Sequence, residues 1–80
     1  MLYAVTTIRI GNNRGEFQNT EVNSIMLAKQ VEDELRDNGC SFDEIDKFLS
    51  MEKGQSICCE ATITEGIKQG TRFTYIHRIN

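Results

Sequence analysis

Proline and tryptophan are absent from this chain of 80 residues, which holds one histidine and three cysteines. The lack of proline fits a chain with little tail or stalk. The lone His77, with Cys40, Cys58 and Cys59, shows no C-x-x-C or H-x-x-x-H spacing, so no metal centre and no cofactor site is expected. The cysteines are odd in number and Cys58 adjoins Cys59, a pair ill suited to an ordinary disulfide, which points to a reducing compartment. No stretch approaches the ~20 apolar residues of a membrane-spanning helix. Residues 1–10 carry Thr6, Thr7 and Arg9 within their apolar run and no basic leader, unlike a secretory signal. The expectation is a cytoplasmic protein without a membrane partner.

Positive charge is also scarce: 9 Lys and Arg face 12 Asp and Glu, for a net charge of −3. A domain that neutralises phosphates carries a basic excess, so direct nucleic-acid binding is not expected. The acidity is uneven. Residues 1–31 carry +1, residues 32–52 carry −6 and residues 53–80 carry +2. Between positions 32 and 46 lie Glu32, Asp33, Glu34, Asp37, Asp43, Glu44 and Asp46, with Arg36 the only base. Such a run is either a plain solvated helical face or a surface complementary to a basic partner.

What is present reads as alternating strands and helices around one core, for which a hydrophobic share of 39% suffices. Residues 2–10 alternate with period two, Leu2, Ala4, Thr6, Ile8 and Ile10 against Tyr3, Val5, Thr7 and Arg9, which predicts a first strand. Gly11-Asn12-Asn13-Arg14-Gly15 reads as a turn, followed by a short strand over 16–21 around Phe17. From Asn23 the period becomes helical. Leu27, Ala28, Val31 and Leu35 share a side, Asn23 or Ser24 caps the start, and Asn38-Gly39 ends it. On that helix Ile25 and Met26 fall off the stripe beside Lys29, Asp33 and Arg36, either wrapped by a neighbour or forming a small docking patch.

Ser41-Phe42-Asp43-Glu44 has the pattern of a capping box and predicts a second helix burying Phe42, Ile45, Phe48 and Leu49. Two further strands follow. One sets Ile57, Cys59, Ala61 and Ile63 against Cys58, Glu60, Thr62 and Thr64; the other sets Phe73, Tyr75, His77 and Ile79 against Arg72, Thr74, Ile76 and Arg78, with a loop over 65–70. The order β-β-α-α-β-β gives an α+β fold, a four-stranded antiparallel sheet with both helices on one face, in a single domain over residues 1–80. Depending on which side the helices choose, the open face carries Tyr3, Val5, Thr7, Arg9, Thr62, Thr64, Arg72, Thr74, Ile76 and Arg78. A half-covered sheet of this kind associates readily, so a homodimer, with or without a small ligand between subunits, is one reading. An RNA-binding sheet built on Tyr3, Arg9, Arg72 and Arg78 is another, short of the neighbouring aromatics that base stacking uses.

Candidate catalysts are few. A Cys with His77 as base is conceivable on composition, but His77 shares its side of the last strand with Phe73, Tyr75 and Ile79, the setting of a core or edge histidine. Paired-carboxylate hydrolysis needs two acids converging in a cleft, and these acids run along an exposed helix. Gly11–Gly15 leads into a strand, whereas a phosphate-binding loop leads into a helix. No enzyme is expected.

With its size, its opening strand Tyr3-Ala4-Val5-Thr6-Thr7-Ile8-Arg9-Ile10 and its acidic helical middle, the chain resembles along its whole length the small, acidic, proline-poor α+β proteins encoded by phages and other mobile elements, including anti-CRISPR and other anti-defence inhibitors. That resemblance implies function by occlusion. An acidic face of Glu32, Asp33, Glu34, Asp37, Asp43 and Asp46, with Ile25 and Met26 beside it, docks on a basic host protein in the host cytoplasm and displaces nucleic acid.

Overall fold

The first strand forms for the reason its alternation suggests: every second side chain enters the core. In the computed structural model, which describes residues 1–11, 19–66 and 69–80, Leu2–Gly11 form β1, with Tyr3, Val5 and Thr7 buried. Thr20–Leu27 form β2, Ala28–Asp37 α1, Phe42–Leu49 α2, Ser56–Ile63 β3 and Gly70–Arg78 β4. The four strands make one antiparallel sheet in the order β2-β1-β4-β3. The α+β arrangement β-β-α-α-β-β is therefore that of the structure, with both helices on one face of the sheet.

One boundary differs from expectation. Residues 23–27, read above as the start of a helix, belong to β2, and α1 begins only at Ala28. The segment Thr20–Leu27 fits both periods, but Val22, Ser24 and Met26 pair with Thr7, Val5 and Tyr3, and Asn23, Ile25 and Leu27 with Thr6, Ala4 and Leu2. Eight residues of ladder with β1 outweigh about one and a half further turns of helix, and the β-branched Thr20, Val22 and Ile25 favour that outcome. The strand then runs straight into α1. Gln30 Oε1 accepts from the Leu27 backbone N–H at 2.8 Å, so the cap comes from the third helical residue and not from Asn23 or Ser24. Of the strand expected over 16–21, Thr20 and Glu21 fall in β2, and positions 16–18, like most of the Gly11–Gly15 turn, lie outside the described residues.

Helix α1 ends as anticipated, with Gly39 at φ +83, where a side chain would be strained. Ser41 caps α2 by accepting from the Glu44 backbone N–H, but the Glu44 carboxylate pairs with Lys47 instead of reaching back. Only Ile45 and Phe48 of α2 are buried. Phe42 is 77% exposed and Leu49 60%, contrary to the expectation that both are core, because an eight-residue helix turns a single narrow stripe toward the sheet. Met51 completes that stripe from beyond the helix. The core gathers Tyr3, Val5, Val31, Leu35, Ile45, Phe48, Cys59 and Ile76, with the Tyr3 and Phe48 rings edge to face at 5.1 Å.

The choice of covered face is the second correction. Tyr3, Val5, Thr7, Arg72, Thr74 and Ile76, expected on the open side, are buried on the side of the sheet that the helices cover. The register explains why the expected set was mixed: Ala61, not Thr62, stands opposite Arg72, so Thr62 projects from the other face. Burying the threonines is tolerated because α1 supplies partners. Thr7 Oγ1 donates to Glu34 Oε2 at 2.9 Å, and Asn38 Nδ2 donates to Thr74 Oγ1 at 3.3 Å. At the far end of the sheet β1 and β4 close tightly, and a side chain at Gly70 would meet the Ile10 carbonyl oxygen.

Candidate functional site

The acids of residues 32–52 lie on the helical layer, but they do not form one uniform face. Glu32 accepts from Arg36 Nη2 at 2.9 Å, Asp33 from Lys29 Nζ at 2.9 Å, and Glu44 pairs with Lys47. Glu34 turns inward to Thr7. Asp37, Asp43 and Asp46 are exposed and take part in no ion pair among the described residues. At 100° per residue, Asp33 and Asp37 share one side of α1, and Asp43 and Asp46 one side of α2. These intrahelical pairs at the surface contribute little to stability, so a charged partner can exchange for them at small cost.

Ile25 and Met26 do not stand together beside these acids. On β2 they point to opposite faces: Met26 packs against the core opposite Tyr3, and Ile25, 60% exposed, lies opposite Ala4 on the open side. The apolar anchors of the helical layer are Phe42 and Leu49 instead, seven residues apart and so on the same side of α2. Two concavities adjoin them. One, of about 390 Å³, is lined by Arg36, Cys40, Ser41, Phe42 and Ile45. The other, of about 300 Å³, includes Met1, Lys29, Glu32, Leu49 and Arg78 in its wall. The sequence signal for these anchors was present, since a short helix cannot bury four large side chains, but the choice between them needed the packing.

The thiols are quiet. Cys59 is fully buried and donates to the Glu44 carbonyl oxygen at 3.3 Å; burial first, then Cys40 and Glu44, pushes it up to about 11. Burial also raises Cys40 and Cys58. Thiols held protonated at neutral pH are poor nucleophiles. His77 is exposed on the open face and not in the core, its Nδ1 2.8 Å from Ser56 Oγ. This Ser–His pair was not anticipated; the β3–β4 register that sets Ser56 opposite His77 would have revealed it. No carboxylate bonds the imidazole among the described residues, and both groups are exposed on a sheet surface, so the pair lacks the buried, oriented setting of an acyl-transfer site. No group of three His, Cys, Asp or Glu residues able to hold a metal occurs among the described residues.

Of the arginines drawn above as an RNA-binding row, Arg72 is buried and Arg9 and Arg78 are half-buried. Arg72 is 3% exposed and donates through Nη1 to the Gly70 carbonyl at 3.1 Å; burial, then the neighbouring Arg9, lowers its pKa. Arg78 donates to the Met51 carbonyl at 2.8 Å, and Tyr3 is in the core. No helix among the described residues is long and apolar enough to cross a membrane. No family model matches the chain, and neither a curated protein nor a solved structure does.

Proposed function

We propose that this chain is a non-enzymatic binding protein that inhibits by occlusion, setting its acidic helical layer against a basic surface of a nucleic-acid-handling or immune protein, as the anti-defence inhibitors of phages do. The observation that carries the reading is the concentration of a net −6 charge over residues 32–52, with seven of the eight acids there on α1 and α2 and with Asp37, Asp43 and Asp46 exposed and unpaired among the described residues. Charge of one sign on a firm scaffold raises the rate of encounter with an oppositely charged groove and disfavours wrong partners. Phe42 and Leu49 supply the apolar contact area that carries binding energy once the partner has been steered into place. The site of action is the cytoplasm of the host cell.

The experiment is capture from host lysate with paired baits, the natural chain and the triple variant Asp37→Lys, Asp43→Lys, Asp46→Lys. The natural chain retains a basic protein that added nucleic acid displaces, and the variant retains roughly tenfold less or weaker. Capture that the triple reversal leaves untouched contradicts the proposal. All three positions are exposed, so circular dichroism of the variant should match that of the natural chain.

A further inference from the structure

The face of the sheet turned away from the helices carries two charged side chains among the described residues, Glu21 and Glu60, and it is built of matched rows. Across β2, β1, β4 and β3 these run Ile25–Ala4–His77–Ser56, then Asn23–Thr6–Tyr75–Cys58, then Glu21–Ile8–Phe73–Glu60. Leu2 and Leu27 extend the surface at one end and Ile10 at the other. Ile25, Leu27, Ile10 and Tyr75 are between 44% and 60% exposed, a concentration of apolar side chains that solvent alone does not favour. No Lys or Arg projects from this face among the described residues.

We infer that a second copy of this chain covers this face, giving a dimer of layers helix, sheet, sheet, helix. Three observations favour a second copy over other occupants. First, seven of the twelve acids lie on α1 and α2 while this face carries only Glu21 and Glu60 among the described residues, so two copies meet with less repulsion here than through their helical layers, which stay outermost. Second, the area suffices. Four strands about 4.8 Å apart and eight residues long cover roughly 500 Å² in projection. The accessible area of side chains on such a footprint is larger, so two faces together pass the ~1,000 Å² of a specific interface.

Third, the two acids of the face select one symmetric arrangement. A two-fold axis parallel to the strands lays β2 over the partner's β3 and stacks Glu21 on Glu60. An axis across the strands, through the Thr6–Tyr75 row, lays each strand over its own copy and sets Glu21 against Ile25 and Ile8 over Ala4. The small Ala4 side chain lies in a depression of about 410 Å³, lined also by Thr6, Asn23 and Ile25, with room for an isoleucine. The antiparallel packing avoids like charges and fills that depression. It is independent of the acidic helical layer, so its failure leaves the proposed function standing.

The test is sedimentation equilibrium of the natural chain, of Ile25→Lys/Tyr75→Lys and of Glu60→Lys at concentrations up to about 100 µM, within reach of a modest interface. The natural chain sediments at twice 9.1 kDa, the double variant dissociates at least roughly tenfold more readily with an unchanged circular dichroism spectrum, and Glu60→Lys dimerises as before. A natural chain that stays monomeric overturns the inference. So does a dimer that the double variant leaves intact, and a dimer tightened by Glu60→Lys overturns the antiparallel arrangement. A monomer that floats with neutral phosphatidylcholine vesicles assigns the face to lipid instead.

Discussion

The two faces of the sheet carry similar side chains but differ in what they meet. Tyr3, Val5 and Ile76 on one side and Ala4, Ile8 and Phe73 on the other are comparably apolar, yet the first group is sealed under α1 and α2 while the second remains half-open. Hydrophobicity alone did not choose between them. The covered side holds Thr7 and Thr74, whose hydroxyls Glu34 and Asn38 satisfy from α1, and it holds the apolar set of β3, Cys59 and Ala61. A face is buried when its polar groups find partners in what covers it. The open face has no such cover among the described residues, and its polar pairs, Thr6 with Asn23 and Ser56 with His77, satisfy each other within the sheet.

This contrast can be sharpened by paired substitutions. Leu35→Ala, at a fully buried position under the sheet, should cost about 2–5 kcal/mol in urea unfolding, whereas Ile25→Ala on the open side, measured in the monomer, should stay within about 0.5 kcal/mol of the natural chain. Similar costs at the two positions would erase the distinction between the faces. Asn38→Ala removes a buried donor to Thr74 and should cost about 1–3 kcal/mol. A negligible loss would show that the buried threonine needs no partner from α1.

A pH-dependent effect is expected from Cys59. Its folded pKa of about 11 lies above the ~8.5 of an unfolded cysteine, so the folded state holds the proton more firmly. Its stabilising contribution is complete below about pH 8.5 and declines as pH rises toward 11. Urea unfolding across that window should show a downward slope that Cys59→Ala reduces, and an equal slope in both chains would assign the loss to other groups. Least of all, Phe42→Ser and Leu49→Ser should leave stability within about 0.5 kcal/mol, since both side chains are already in water. A larger loss would place them in the fold rather than on a contact surface.

Most of the architecture was legible in the alternation of Leu2–Ile10, Ile57–Ile63 and Thr71–Ile79 and in the Asn38-Gly39 and Ser41 helix signals. Two features were not. The segment Val22–Leu27 satisfies both helical and strand periods, and only its partner β1 decides between them. The covered face depends on cross-strand register, and a shift of one residue exchanges every side chain between the faces. The acidic stretch was plain in the sequence, but its local pairing was only partly so. Lys29 with Asp33 and Glu32 with Arg36 follow from four-residue spacing, whereas the inward turn of Glu34 follows from Thr7 across the core.

On the proposed reading, the outward charge of the helical layer makes the contact with the partner. That contact is tested most directly by quantitative mass spectrometry of host proteins retained by the natural chain and by the Asp37→Lys/Asp43→Lys/Asp46→Lys variant, each with and without competing nucleic acid. A basic protein should be enriched on the natural chain, released by the competitor and depleted roughly tenfold on the variant. Equal retention by both chains, indifferent to nucleic acid, would contradict it.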